Sequence, residues 1–535
     1  MNKILLKGVA AFMCLATMFG TVACDDDENN DPSVVKVTAI SLDKSSASLK
    51  PGETLTLVAT LVPAEASNKN IDWSSSDEKV ATVDAGKVTG VAEGTATITA
   101  KTEDGGFSAT CALTVTADAP QVSEVVLEGE ITSDMTLKAG DSNLLRGFVY
   151  VTDGVTLTIE PGAVIKGEKA TKGSLIIERG AKIIAEGTAE KPIVFTSDQA
   201  KGSRTYGDWG GLILCGKSTV NNTAGEAQIE GGPRSYYGGQ DPADNSGVLK
   251  YVRIEFAGYP LEPNKEINGL TFGGVGSGTT VEYVQVSFCG DDSFEWFGGT
   301  VNAKHLIAYK GWDDEFDTDY GFQGKLQFLL GVRDPKHADT SKSNGFESDN
   351  DADGSSNTPL TTPIFSNVTL VGPLYGESAG KAEGDILYVT EDAANGAKGG
   401  TFQAAMHIRR NSSLNVYNSV FTGWPYGLYL QKANEGAVVK NVIFAGMWEN
   451  FKDEASQTYF ETADLKNVVY ASSNDIIAKD GDYTSVVADK VSGADFSDAA
   501  LGDSFFEKVT YKGAFDGTND WASAWANFDP NNTEY

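Results

Sequence analysis

The feature that most restricts the fold of this sequence is a short strand-like unit that recurs from about residue 126 to residue 475. Each unit is a short run of alternating apolar and polar residues, a turn at Gly or Asn, and a second run of the same kind. Examples are GVTLTIEPGAVIKG, GTTVEYVQVSFCG and GAVVKNVIFAG. A unit of this length cannot bury its own apolar face, so successive units must stack. The repeat therefore predicts a parallel β-helix over 126–475. A propeller would need longer and more regular units.

A different pattern occupies residues 36–117. Short strand-like runs alternate with turn signals at even spacing, including NIDWSSSD and GKVTGVAEGTATITAKT. Several short strands spaced in this way are typical of a β-sandwich. We predict a separate β-sandwich domain here, followed by a linker before residue 126.

The first residues have the composition of a secretory leader. Residues 1–23 carry two lysines, an apolar stretch and then small residues before Cys24. This segment is too short to be a lasting membrane span. Its ending, TVAC, resembles a lipobox, which implies that Cys24 is acylated and anchors the chain. The acidic run after Cys24, within a tether over 24–35, resembles a surface-export signal, so we expect the protein on the outer face of an outer membrane.

Composition excludes some classes of partner and site. The formal net charge is -32, which would repel a phosphate backbone, so nucleic acid is not an expected partner. Only three His occur, which disfavours a His-rich transition-metal site. Cys111, Cys215 and Cys289 are widely spaced and odd in number, so we expect buried thiols rather than disulfides. No organic cofactor is expected.

Two family resemblances sharpen these predictions. The segment from LKPGETLTLVATLVP to GTATITA resembles a bacterial immunoglobulin-like domain of group 2, which implies a spacer role. The GDDSFEWFGG and GWDDEFDTDYG region, with LTIEPGAVIKG and GDWGGLILCG, resembles a family of right-handed β-helix surface lipoproteins with a pectate-lyase-like overall shape. The implied fold class is all-β: an immunoglobulin-like sandwich, a right-handed parallel β-helix, and a cap over its open end at 476–535.

Two Asp-Asp pairs are the first candidate site. Asp291 and Asp292 precede Asp313 and Asp314 by 22 residues, about one coil of a β-helix, so the pairs should lie on adjacent coils. Carboxylates that lie so close to one another raise each other's pKa or bind a cation. They are candidate catalytic residues of a glycoside hydrolase or a polysaccharide lyase. They are also candidates for a metal site or for structural turns.

A second candidate is a calcium loop in SDNDADGSS. Asp349, Asp351 and Asp353 precede Gly354 in the opening of an EF-type loop, and oxygen ligands suit Ca²⁺. The twelfth position is Leu360 rather than Glu, so a bidentate ligand would have to come from elsewhere. A solvated Asp-rich turn is the alternative.

Aromatic residues beside the acids suggest a sugar-binding surface. We predict a ligand-binding platform, because flat rings stack on the apolar faces of sugars. Its candidate residues are Trp296, Trp312, His407, Arg409, Trp424 and Tyr426. The rings could instead cover apolar strand edges.

Together these patterns predict a surface lipoprotein that binds an extracellular ligand, with polysaccharide as the expected ligand, on a calcium-braced β-helix. One alternative is a carbohydrate-active enzyme that uses the paired Asp residues. A second is a structural adhesin.

Overall fold

The computed structural model describes residues 34–116, 123–262, 265–375, 388–389, 400–479 and 481–535. The predicted leader and Cys24 lie outside the described residues. The chain divides into two units at about residue 121. In the part of the chain that is described, no helix is long and apolar enough to cross a membrane.

The first unit is a small β-sandwich. Its strands are β1 (Ala39–Leu42), β2 (Ser46–Leu49), β3 (Thr54–Thr56), β4 (Ala59–Val62), β5 (Ile71–Ser75), β6 (Ala81–Asp84), β7 (Lys87–Gly90), β8 (Gly94–Thr102) and β9 (Ser108–Val115). One sheet has the order β2-β9-β8-β5, and another has the order β3-β7-β6. Alternate residues of β8 are buried, so Ile98 packs with Val88 and Leu113 while Trp73 lies against this core. The predicted immunoglobulin-like domain is confirmed.

The second unit is a parallel β-helix. Its strands are β10 (Glu124–Ile131), β11 (Met135–Leu137), β12 (Ser142–Val151), β13 (Thr156–Ile159), β14 (Val164–Gly167), β15 (Ser174–Ile177), β16 (Lys182–Glu186), β17 (Ile193–Ser197), β18 (Leu212–Cys215), β19 (Ala227–Gln228), β20 (Tyr236–Tyr237), β21 (Gly247–Glu255), β22 (Tyr259–Glu262), β23 (Lys265–Ile267), β24 (Leu270–Gly273), β25 (Thr280–Ser287), β26 (Phe294–Phe297), β27 (Asn302–Tyr309), β28 (Phe316–Asp319), β29 (Lys325–Val332), β30 (Phe346–Ser348), β31 (Ile364–Val371), β32 (Tyr388–Val389), β33 (Gly400–Thr401), β34 (Ala404–Arg409), β35 (Asn415–Tyr417), β36 (Val420–Thr422), β37 (Tyr426–Gln431), β38 (Val438–Lys440), β39 (Ile443–Ala445), β40 (Glu449–Phe451) and β41 (Val468–Tyr470). Two α-helices follow or interrupt the last coils, α1 (Glu454–Phe460) and α2 (Ala488–Val491). Short 3-10 turns lie at Lys169–Thr171, Ala463–Leu465, Ser473–Asp475, Ala499–Leu501 and Pro530–Asn532.

The long strands bend at a corner and so contribute to two faces of the coil. One stack contains β24, β26, β28, β30, β34, β37 and β40, all parallel, and we call it the site face. The register pairs Phe294 with Phe316, one coil on, and Asp314 is bonded to Asp292 across 22 positions. The predicted parallel β-helix and its coil length are confirmed. Its interior is a continuous apolar core that includes Phe294, Phe316 and Phe346.

The corners of successive coils are occupied by residues in the left-handed backbone conformation. Tyr251, Tyr283, His305 and Phe328 have φ between 50° and 63°. Their rings stack outside the coil, with centroids 4.5 Å apart for Tyr251 and Tyr283 and 4.2 Å apart for Tyr283 and His305. Burial lowers the pKa of His305 to about 4, so this imidazole packs as a neutral ring.

The C-terminal segment differs from the predicted cap. Residues 493–535 run back along the side of the β-helix from its last coils toward its first. Gln285 donates to the carbonyl of Asn527 and accepts from its N–H, both at 2.8 Å, and Gln327 binds Glu507 in the same two-point way. The terminal Tyr535 reaches Glu255, with 2.6 Å between hydroxyl and carboxylate. We call this segment the strap.

The open end of the solenoid is covered by α1 instead. Asp453 caps this helix by accepting from the N–H of Ser456 at 2.8 Å. Phe460 stacks on Phe444 of the last coils with centroids 4.3 Å apart, which shields the end of the core. Cys111, Cys215 and Cys289 are buried free thiols, as predicted.

The strap gives the first testable prediction. Gln285→Ala leaves the N–H and C=O of Asn527 without their partner, and we expect a loss of about 2 kcal/mol of unfolding free energy, measured by urea denaturation. The strap should also become more sensitive to protease. Gln323→Ala is the control, because that side chain is exposed. Equal urea midpoints for the two variants would show that the strap does not stabilise the coil.

Candidate functional site

Polar side chains form a continuous line on the outward side of the site face, where Thr271, Glu295 and His407 are nearly buried and Asp317 and Glu347 are partly exposed. The register places Thr271 beside Glu295, Glu295 beside Asp317, Asp317 beside Glu347, and Glu347 beside His407. Tyr429 follows His407 on the next coil. We call Glu295, Asp317 and Glu347 the acidic row. Parallel strands are about 4.8 Å apart, so these carboxylates are close neighbours.

Strand alternation decides which side chains reach this surface. Successive residues of a strand point to opposite faces, so Glu295 points outward because Phe294 and Trp296 belong to the interior core. Asp317 and Glu347 point outward for the same reason, because Phe316 and Phe346, the residues before them, belong to the interior core. A buried Phe followed directly by an outward-pointing acidic residue thus recurs on three coils; we call this dipeptide the Phe-acid step.

The paired aspartates lie directly before these strands, on adjacent coils as predicted. Asp292 accepts from the N–H of Asp314 at 2.8 Å, and Asp314 in turn accepts from the N–H of Asn344. Asn344 continues this ladder by accepting from the N–H of Ala404 at 3.2 Å. Each side chain therefore fixes the turn of the following coil. Asp292 and Asp314 are only 7% and 4% exposed.

Burial and mutual repulsion disfavour the charged form of these acids. Burial raises the pKa of Asp292 well above its usual value, and the charges of Asp314 and Asp291 add to this shift. Burial and the charge of Glu347 do the same for the pKa of Asp314. Burial raises the pKa of Glu347 to about 7 even though Arg409 opposes the shift. At neutral pH the surface therefore favours protons or bound cations.

The geometry also suits a cation. Asp291, Asp292 and Asp313 offer carboxylate oxygens within 4.8 Å of one another, and so do Asp292, Asp314 and Asp317. Asp292 belongs to both groups. Oδ1 of Asp313 and Oδ1 of Asp317 are buried without a hydrogen-bond partner. Clustered hard oxygen donors are the ligands that Ca²⁺ prefers.

The same spacing bears on the catalytic prediction. One oxygen of Asp292 and one of Asp314 lie within 4.8 Å of each other, near the lower end of the separation of about 5–9.5 Å between the carboxyl groups of glycoside hydrolases. Both side chains are also engaged with backbone N–H groups. The arrangement fits a cation better than an acid and base flanking a sugar bond.

The predicted calcium loop is organised differently from an EF-type site. Asp349 is held by two guanidinium groups, from Arg409 and Arg410, each at 2.7 Å. Asp351 accepts from the N–H groups of Asp353 and Ser355, at 3.1 and 2.9 Å, within its own turn. Asp349, Asp351 and Asp353 therefore do not form one ligand set in this structure. The physical reason is that two of the three carboxylates already have partners: Asp349 pairs with Arg409 and Arg410, and Asp351 accepts from its own turn.

The predicted tryptophan platform is wrong. Trp296 and Trp424 have no exposed surface, and Trp312 is 2% exposed. Trp296 points into the coil because it follows the outward Glu295, and Trp424 belongs to the same core. Trp312 lies outside the coil in a small cluster with Tyr206, whose ring centroid is 5.4 Å away. These rings stabilise the fold and do not offer a face to a sugar.

His407, Arg409 and Tyr426 are brought together where the acidic row ends. They line a cavity of about 330 Å³ with Tyr429 and Lys452. His407 stacks on Tyr429 with centroids 4.7 Å apart, and its Nε2 lies 3.0 Å from Oε1 of Gln431. We call this cavity the cationic pocket.

The sequence prediction did not include Glu347 or the pocket residues Lys342 and Lys452. The recurring Phe-acid step in SFEWF, EFDTD and GFESD was a usable signal for Glu347. No comparable signal exists for the lysines of the pocket. Phe346 of β30 pairs with Met406 of β34, which is far away in the sequence, so the regular coil spacing does not show that these strands are neighbours.

The fold and this surface define a class: parallel β-helix proteins with a polar site face. The chain belongs to the family described as pectate-lyase-like β-helix domain, which matches residues 129–525. Residues 36–113 match the bacterial Ig-like domain, group 2.

Similarity to curated proteins is partial. An uncharacterized protein of Clostridium acetobutylicum is 38% identical over 149 residues, 26% of this chain and 15% of the relative. An Ig-like virion protein of Serratia phage KSP90 is 36% identical over 110 residues, 20% of this chain and 43% of the relative. An alpha-L-arabinofuranosidase of Bifidobacterium longum is 46% identical over 85 residues, 16% of this chain and 8% of the enzyme. The chain spans less than half the length of each of these relatives.

The raised pKa values predict how stability depends on pH. A carboxyl whose pKa is raised by folding stabilises the fold at a pH below its pKa in the unfolded chain. This contribution is lost as the pH rises through its pKa in the folded chain, which is about 7 for Glu347. In chelator, we therefore expect the unfolding temperature of the β-helix to fall between pH 4.5 and 7.5. Calorimetry measures this directly.

Asp314→Asn is the matching variant. It removes the ionisable group but keeps an oxygen that accepts from the N–H of Asn344. Because burial raises the pKa of Asp314, we expect the variant to unfold at a higher temperature than the wild type in chelator at pH 7.5. An unfolding temperature that rises with pH between pH 4.5 and 7.5 would contradict the claim that folding raises the pKa of these carboxyls.

Proposed function

We propose that the protein binds an extracellular polysaccharide along the site face, and that divalent cations, most simply Ca²⁺, occupy the paired aspartates. The observation that carries the proposal is the continuous outward line from the acidic row to the pocket that holds His407 and Tyr429. A line of polar groups with one repeat per coil fits an elongated ligand with its own repeat. Hydrogen-bonding groups beside aromatic rings suit sugars.

The comparisons support a carbohydrate-related role at a coarser level. The family is described as pectate-lyase-like. Partial relatives include enzymes named alpha-L-arabinofuranosidase and lacto-N-biosidase. Binding by this chain, and the identity of its ligand, are our proposals.

We also propose that the chain is a lipoprotein held by Cys24 at the outer membrane, with the immunoglobulin-like unit as a spacer. Support for the anchor comes from the sequence of residues 1–28 alone. Such an anchor would present the site face to polymers outside the cell.

Calcium binding is testable with one residue. Asp292 belongs to both carboxylate groups, so Asp292→Asn should abolish most of the rise in unfolding temperature that Ca²⁺ gives the wild type at pH 7.5. A ligand at 100 times its Kd stabilises a fold by about 2.7 kcal/mol. Asp153→Asn, an exposed acid on another coil, is the control. No calcium-dependent shift in the wild type would remove the cation from the proposal.

Polysaccharide binding is tested by affinity electrophoresis of the full chain through gels that contain plant or host polysaccharides, with Ca²⁺ and with chelator. We expect retardation by at least one polymer, weakened at least tenfold by chelator and by Asp292→Asn. The same samples are assayed for reducing ends and unsaturated products. Products that vanish in Asp292→Asn would make the site catalytic, and no retardation by any polymer would favour an adhesin.

A further inference from the structure

The cationic pocket continues the line of the acidic row but has the opposite charge. Its walls include Lys342, His407, Arg409, Tyr426 and Lys452, and none of the described lining residues is acidic. This is unexpected in a chain with 74 acidic and 42 basic residues. A positively charged pocket is also unexpected one coil away from Glu347, an acidic residue.

Two of the three cations have charge available for a ligand. Arg409 is engaged by Glu347 and by Asp349, which balance its charge. Lys342 and Lys452, in contrast, form no ion pair with any residue that the structure describes, and both are exposed at the rim. The ammonium of Lys452 lies 4.1 Å from the ring centroid of Tyr426, so it is placed over the pocket wall.

Part of the pocket wall is formed by two stacked rings, those of His407 and Tyr429, and the imidazole is neutral. His407 is 3% exposed, and burial together with Arg409 lowers its pKa to about 4, so the imidazole is uncharged at neutral pH. Its ring and that of Tyr429 are stacked within 9° of parallel. A cavity of about 330 Å³ is at the lower end of the volumes typical of small-ligand sites, which suits one or two sugar units.

We propose that this pocket binds a sugar unit that carries an anionic substituent, a carboxylate or a sulfate ester, with Lys342 and Lys452 pairing with the anion and Tyr426 and Tyr429 contacting the ring. The inference rests on the proposed function, because this unit belongs to the polysaccharide bound along the site face. The pocket then selects charged polymers over neutral ones.

The test uses the full chain and three probes: oligomers of a uronic acid, a sulfated galactan and a neutral galactan, titrated by calorimetry. We expect the wild type to bind at least one charged probe at least tenfold more tightly than the neutral one. The Lys342→Gln, Lys452→Gln double variant should lose at least tenfold affinity for that probe, and the probe that suffers this loss identifies the substituent. Lys432→Gln, an exposed lysine outside the pocket, is the control and should bind like the wild type.

The outcomes separate this inference from the proposed function. Equal affinity for neutral and charged probes, or a double variant that melts and binds like the wild type, overturns the anionic ligand but leaves polysaccharide binding intact. A wild type that binds none of the three probes and no polymer in the gel assay overturns both.

Discussion

The structure depends on the parallel stacking of strands at about 4.8 Å, which places the same position of every coil beside its counterpart. Inside the coil this register aligns Phe294, Phe316 and Phe346 into one apolar column. Outside the coil the same register aligns Glu295, Asp317 and Glu347, whose like charges repel. The stacking that builds the core therefore also builds a site that favours protons or cations. Fold and candidate function have one physical origin.

Much of the fold could be predicted because its cause is local. The 22-residue spacing of the paired aspartates gave the coil length and their adjacency, and the alternation in residues 36–117 gave the sandwich. The predicted exposure of Trp296 is wrong, because strand alternation from Phe294 places this side chain inside the coil despite the neighbouring acids. The strap could not be predicted, because it depends on amides such as Gln285 and Gln327 meeting backbone groups about two hundred residues later in the chain.

Two kinds of chemical group lie along one line of the site face. The paired aspartates favour a cation, whereas the pocket at the other end offers ammonium groups and rings. Arg409 joins the two regions, because it pairs with Glu347 of the acidic row and also lines the pocket. Binding of a ligand in one region should therefore change the ligand affinity of the other region through this side chain.

The most direct measurement is a crystal structure of the full chain grown with Ca²⁺ and a second one soaked with Tb³⁺, whose anomalous signal locates the ion. We expect an anomalous peak among Asp292, Asp314 and Asp317, with ion–oxygen distances of about 2.3–2.6 Å. Ordered water at that position in both crystals, at neutral pH, would contradict the claim that the site face is a cation-loaded surface.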